Sequence, residues 1–242
     1  MEGNSAFRSA LLEMGVYSNQ QIRQAVADKH IVCHPYNEGH IGPTSIDVTL
    51  GFYYYRLEST NGYTVYNPFD RDDIERYFDG PYKAAPYEQW CTLNGLKPTI
   101  DISPEHPVIA LGPGERILAH THEFLGITPP GAYELHSRSS WRHNGIAVCF
   151  DADWINPGYI NRLTLEICNM NNRELVILPV GERIAQVVFH ETGEVKGDHS
   201  SQDADNLDLE ALIRTWSPSL ILPQVHKGQR TLPVKIEGMS YD

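Results

Sequence analysis

The chain is predicted to be a mainly β protein organised around one core, and three observations carry that expectation. Short apolar runs recur at 45–50, 52–57, 108–111, 116–120, 146–150, 163–168, 175–178 and 184–189. Gly, Pro and Asn separate them, and many short strands at modest spacing are the pattern of an all-β sandwich or barrel. With 242 residues, 41% of them hydrophobic, the chain can bury one good-sized core without a second domain.

Helices are expected at few places. Ser18 followed by Gln21 forms a capping box, and Ile22, Ala25 and Val26 recur at helical spacing before Lys29, giving one short helix. The stretch 63–97, rich in Tyr, Pro and Asp, reads as a long inserted loop with one helical turn at 72–77. Loops of that length are uncommon unless functional or at an interface. Residues 136–145 read as a strand end running into a short helix, closed by Gly145 where left-handed geometry is favoured. Past a polar break at 196–205, Leu207, Leu209, Leu212, Ile213 and Trp216 have the spacing of an amphipathic helix. The expected organisation is an N-terminal extension 1–17, a β domain 18–195 and a tail 196–242.

Charge and cysteine usage bound the partners. The 19 basic and 31 acidic residues leave a net charge of −12, which repels a nucleic-acid backbone and argues against a polynucleotide partner. A free nucleotide remains compatible, since a few local Arg and backbone N–H groups together with Mg²⁺ can hold phosphates. Cys33, Cys91, Cys149 and Cys168 form no C-x-x-C pair and read as reduced core thiols. No run approaches the ~20 apolar residues of a membrane span and no leader pattern precedes residue 15, so a soluble, cytoplasmic protein is expected.

Three segments carry chemistry. At Arg138, Ser139 and Ser140 a strand meets a helix N-terminus, where unpaired N–H groups make a phosphate cradle plausible, although a serine-capped helix is the ordinary reading. In the second segment Asn156, Pro157 and Gly158 signal a turn, so the runs on either side are expected to form a hairpin. Period-two alternation then puts Leu163, Leu165 and Ile167 on one face and Glu166 on the other with Thr164 and Cys168. Such a carboxylate faces either solvent or a pocket. The third segment, 180–186, is a turn feeding a strand. His120, His122 and Glu123 cluster as well, but ligands alternating along a strand point to opposite faces, so no metal site is expected there.

Four ordered motifs together resemble the dCTP deaminase family of the dCTP deaminase and trimeric dUTPase superfamily. They are Ser45-Ile-Asp-Val-Thr-Leu-Gly51, Arg138-Ser-Ser140, Asn156-Pro-Gly-Tyr159 leading to Leu165-Glu-Ile-Cys-Asn169, and Gly181-Glu-Arg-Ile-Ala-Gln186. The resemblance runs from about Ser18 to Thr192. It implies a distorted β-barrel or jelly-roll of the dUTPase-like type, assembled as a homotrimer with active sites shared between subunits. The implied activity is hydrolytic deamination of a deoxycytidine nucleotide, with dCTP going to dUTP and ammonia. By the same resemblance Glu166 is the general acid/base and Ser139 the hydroxyl beside the reacting centre, while Arg138 and Ser140 lie on the phosphate side and Gln186 is a phosphate-side or structural residue. Tyr159 packs on the deoxyribose, Asn156 lies near the 3′-OH and Ala152 offers backbone groups to the base. Mg²⁺ would enter through the nucleotide phosphates. Catalytic zinc is not implied, since neither the H-x-E nor the C-x-x-C signature of zinc deaminases occurs.

Departures from the family pattern are specific. An Arg usually stands where this chain has His143, and Arg142 precedes it; either supplies the cation. Asp151 replaces a small or hydroxylic residue beside Ala152, and the C-terminal lid is reduced to a run at 196–202. Two alternatives follow. A dUTPase-like pyrophosphatase would need a water-activating Asp at Asn156, and an amide is no general base at neutral pH. A nucleotide-binding regulatory or defence protein would have kept the scaffold and lost turnover.

Overall fold

Ser18 caps the first helix as expected. Its hydroxyl accepts from the Gln21 N–H while Gln21 Oε1 accepts from the Ser18 N–H, and helix α1 (Asn19–Ala27) docks through the wholly buried Ile22. The computed structural model describes residues 15–57, 65–99, 101–150, 153–195 and 208–223. The strands in chain order are β1 (Ile31–His34), β2 (Ile46–Thr49), β3 (Tyr53–Leu57), β4 (Phe78–Lys83), β5 (Ala85–Pro86), β6 (Pro107–Leu111), β7 (Arg116–Ile127), β8 (Ala132–Ser137), β9 (Ile146–Ala147), β10 (Trp154–Ile155), β11 (Asn161–Asn169), β12 (Val176–Pro179) and β13 (Arg183–His190). Helices α2 (Arg71–Tyr77), α3 (Tyr87–Leu93), α4 (Ser139–His143) and α5 (Leu209–Thr215) are short.

The fold is mainly β, as predicted. Three antiparallel sheets enclose one principal core in the distorted jelly-roll manner: β4-β3-β7-β11-β9 with β1 added along β7, then β10-β8-β13-β2, and β12-β6-β5. Inward residues from the first two sheets, among them Leu125, Leu165, Ile167, Tyr133, Val187 and Phe189, are essentially inaccessible to solvent. Each aliphatic side chain buried in this way stabilises the fold by roughly 1.5–3 kcal/mol.

Two expectations are corrected. The stretch 63–97 is far more than a loop with one helical turn: beyond α2 it builds β4, β5 and α3. β4 extends the edge of β3, and Tyr87 and Cys91, one turn apart on α3, close over Val108. Pro81, Pro86 and the scattered tyrosines hide that periodicity in the sequence. The segments flanking Asn156-Pro157-Gly158 do not form a hairpin either. β10 pairs with β8, whereas β11 pairs with β7 and β9, so the turn is a corner that passes the chain from one sheet to another. Gly158, at φ 81°, makes the bend and donates its N–H to the Ile127 carbonyl.

The expected C-terminal helix exists as α5, and with the following 3₁₀ turn (Pro218–Ile221) it lies across the outer face of the first sheet. Leu212 packs on Phe124 and Ile160, and Ile221 on Tyr55 and Leu118. Trp216 and Phe124 flank the Arg162 guanidinium at 4.7 Å each. Among the described residues no helix is long and apolar enough to cross a membrane.

Candidate active site

The alternation of β11 decides where its carboxylate goes. Leu163, Leu165 and Ile167 enter the core, which leaves Thr164 and Glu166 half-buried on the other face of the sheet. In register, Glu166 stands opposite Leu118 of β7, and Leu118 stands opposite Tyr55 of β3. That face floors a cavity of about 480 Å³, a size suited to a small ligand. Tyr159 enters it from the corner after Gly158, Cys149 and Phe150 from the chain after β9, Tyr66 and Tyr77 from the insertion, and residues 220–223 from the tail.

Glu166 is the only carboxylate among the described lining residues, and Arg116 the only cation, its guanidinium 5.4 Å from the Phe150 ring centre. Burial raises the Cys149 thiol, whose Sγ donates to the Leu135 carbonyl at 3.2 Å, so it is no thiolate nucleophile. Burial also raises the Tyr159 phenol, which keeps its proton. The position of Tyr159 is fixed from behind: the buried Tyr133 hydroxyl donates to its carbonyl at 2.9 Å.

The remaining expected site residues lie elsewhere in the chain. Ser139, Ser140, Arg142 and His143 are exposed on α4, which Gly145 ends at φ 78° as expected. The Trp141 indole anchors this helix by donating to the Arg183 carbonyl at 2.9 Å. Arg138 reaches Asp47 at 3.5 Å, and Gln186 on β13 stands between Asp47 and His136 in the ladder. Asn156 is exposed in the corner. One chain therefore brings Glu166 and Tyr159 together, while none of the phosphate-side set lines their cavity. Ala152 and Asp151, and the reduced lid at 196–202, lie outside the described residues.

His120 and Glu123 have partners of their own. His120 is fully buried, with Nδ1 2.7 Å from the Thr121 carbonyl and Nε2 accepting from the Tyr53 N–H at 3.2 Å. The Glu123 carboxylate accepts from the Thr49 N–H at 2.9 Å and the Thr49 hydroxyl at 2.7 Å. Sequence reasoning missed Arg116, Leu118, Tyr66, Tyr77 and the tail residues as walls of the cavity. Only the aromatic richness of 63–97 hinted at them, because strand register and tail docking leave no local mark.

A family model described as dCTP deaminase-like matches residues 16–192. A protein of Methanopyrus kandleri named dCTP deaminase, dUMP-forming, is 32% identical over 182 residues, 73% of this chain and 82% of the relative. A protein of Nanoarchaeum equitans with the same name is 29% identical, covering 76% and 88%. Among solved structures, the 2′-deoxycytidine 5′-triphosphate deaminase of Agrobacterium tumefaciens shares the fold, with a TM-score of 0.51 and 18% identity. That match takes in 74% of this chain and spans about half the length of the other, 47%.

Proposed function

Because the chain belongs to the dCTP deaminase-like family, we propose that it is a hydrolase that removes the 4-amino group of dCTP, with Glu166 as the proton carrier. The observation that carries this reading is the placement of Glu166 as the sole described carboxylate of a cavity it shares with Tyr159. Hydrolytic deamination moves protons three times: from the attacking water, to ring N3, and to the departing amine. One carboxylate within reach of C4 serves all three. Water oxygen bonds to C4, the C4–N bond breaks, and ammonia leaves as the carbonyl forms.

The family resemblance by itself implies dUTP as the end product. The relatives' name, dUMP-forming, favours a second hydrolysis in which water cleaves the α–β phosphoanhydride of dUTP to give dUMP and diphosphate. We take dUMP as the product. Asn156 favours a second reading in which this chain stops at dUTP, since the amide there cannot activate water.

The separation of Glu166 from Arg138, Ser139, Ser140, Arg142, His143 and Gln186 supports completion of each site by a neighbouring copy, in a homotrimer. Tyr159 would pack on the sugar and exclude a 2′-OH. The exposed hydroxyls of α4 are phosphate-side donors rather than metal ligands, so Mg²⁺ would be held by the nucleotide's own oxygens.

The test measures ammonia and diphosphate separately on dCTP, dUTP and dCMP with Mg²⁺. Both products from dCTP support the first reading, and ammonia alone supports the second. Glu166→Gln should lower ammonia release by ~10²–10⁴-fold while calorimetric nucleotide affinity is largely kept. Turnover within a few-fold of the parent would remove Glu166 from the chemistry.

A further inference from the structure

We propose that Glu134, His136 and Asp153, with His190 beside them, form a site for one divalent first-row transition-metal ion, on the second sheet and outside the lining of the Glu166 cavity. Glu134 and His136 are two residues apart on β8 and so share a face. β10 and β13 flank Glu134 on its two sides, with Trp154 and Val188 directly opposite it in register. Asp153 joins through its backbone, its carbonyl accepting from the Leu135 N–H at 3.0 Å.

Three metal-ligating side chains converge there, and His190 lies against one of them, Glu134. The ligand atoms of Glu134, His136 and Asp153 all lie within 4.8 Å of one another. The Glu134 carboxylate is 2.9 Å from His136 Nε2 on one oxygen and 2.8 Å from His190 Nε2 on the other. Metal–nitrogen and metal–oxygen bonds of roughly 2.0–2.2 Å put the ligands of one tetrahedral ion about 3.4 Å apart, so small side-chain adjustments bring these atoms onto a common centre. A second observation points the same way. His190 Nε2 is shielded from solvent and its close polar neighbour is the Glu134 carboxylate, which it meets without good hydrogen-bond alignment. Trp154 packs over the His190 ring, 5.7 Å between centroids, and closes that side.

Two imidazoles with two carboxylates suit zinc, cobalt, nickel or iron better than magnesium or calcium, which take all-oxygen shells. The ion would tie β8, β10 and β13 together just before Arg138 and Asn156. It would thus hold in place the strand ends that present both halves of the expected nucleotide site. It takes no part in the deamination step.

The test uses untagged full-length protein, stripped with chelator and kept free of nucleotide, so that no phosphate can carry the metal. Co²⁺ is titrated in and followed by its visible d–d absorption, with bound metal counted by mass spectrometry after desalting. One Co²⁺ per chain is expected, displaced by Zn²⁺. His136→Ala should abolish the bands, His190→Ala should weaken binding tenfold or more, and His143→Ala, on α4, should leave it unchanged. Asp153→Asn, nearly isosteric, covers the case in which an alanine variant misfolds, and should also lose the bands. No stoichiometric Co²⁺ on the parent, or full binding by folded His136→Ala or Asp153→Asn, overturns the site.

Discussion

Lowering the pH should unfold this protein partly through one residue, His120. Its ring is fully buried against Trp216, with centroids 4.6 Å apart, and Nε2 accepts from the Tyr53 N–H, which requires that nitrogen to be unprotonated. Burial is the main cause holding its pKa down to about 4; the Thr121 carbonyl opposes the shift, and Arg162 and His122 add to it. The folded value lies below the ordinary value of about 6.5, so between the two the unfolded chain binds more protons. Stability is therefore fully present above pH ~6.5 and is lost as pH falls toward ~4. At 1.36 kcal/mol per unit the whole contribution is about 3 kcal/mol, of which about 2 kcal/mol is gone by pH 5. Urea unfolding at fixed protein concentration, at pH 7.5 and pH 5.0, measures the loss in the parent and in His120→Gln, whose side-chain carbonyl can still accept from Tyr53. The variant should lose about 2 kcal/mol less across that interval. The same loss in both proteins would refute the assignment.

Three further predictions follow from the packing around the cavity. Ala at Gly126 would set its Cβ 2.7 Å from the Tyr159 carbonyl oxygen and 2.9 Å from Ile160 Cα, so Gly126→Ala should cost about 1–3 kcal/mol and raise KM for dCTP. Gly193→Ala, with nothing within 4 Å, is the control, and equal melting temperatures would refute the clash. Trp216→Ala removes the ring over Arg162 and His120; amide hydrogen exchange in 209–223 should rise sharply, and unchanged protection would show that this ring does not dock the tail. Tyr159→Ala should narrow the preference for dCTP over CTP, and an unchanged ratio of kcat/KM values would detach Tyr159 from the sugar.

The sequence by itself determined what depends on neighbours a few residues apart. The capping box at Ser18, the left-handed stop at Gly145 and the two-faced character of β11 follow from backbone sterics and side-chain periods of 3.6 and 2, and all three stand in the structure. The motif order carried family membership for the same reason, because it lies along the chain. Glu166 could be assigned to the face opposite the core but not to a pocket. The pocket exists because β3 and β7 lie beside β11, and because an insertion some ninety residues earlier and a tail some fifty residues later come to rest on the same face. Asn156-Pro157-Gly158 announced a turn, yet a turn's residues do not say whether the strands it joins pair with each other or with distant partners. That choice was made by long-range burial, which sent β10 to β8 and β11 to β7. His120 and the cluster at Glu134 were decided in the same way. Their partners lie tens of residues away or in neighbouring strands, and only the assembled sheets fix which nitrogen meets a donor and which meets a carboxylate.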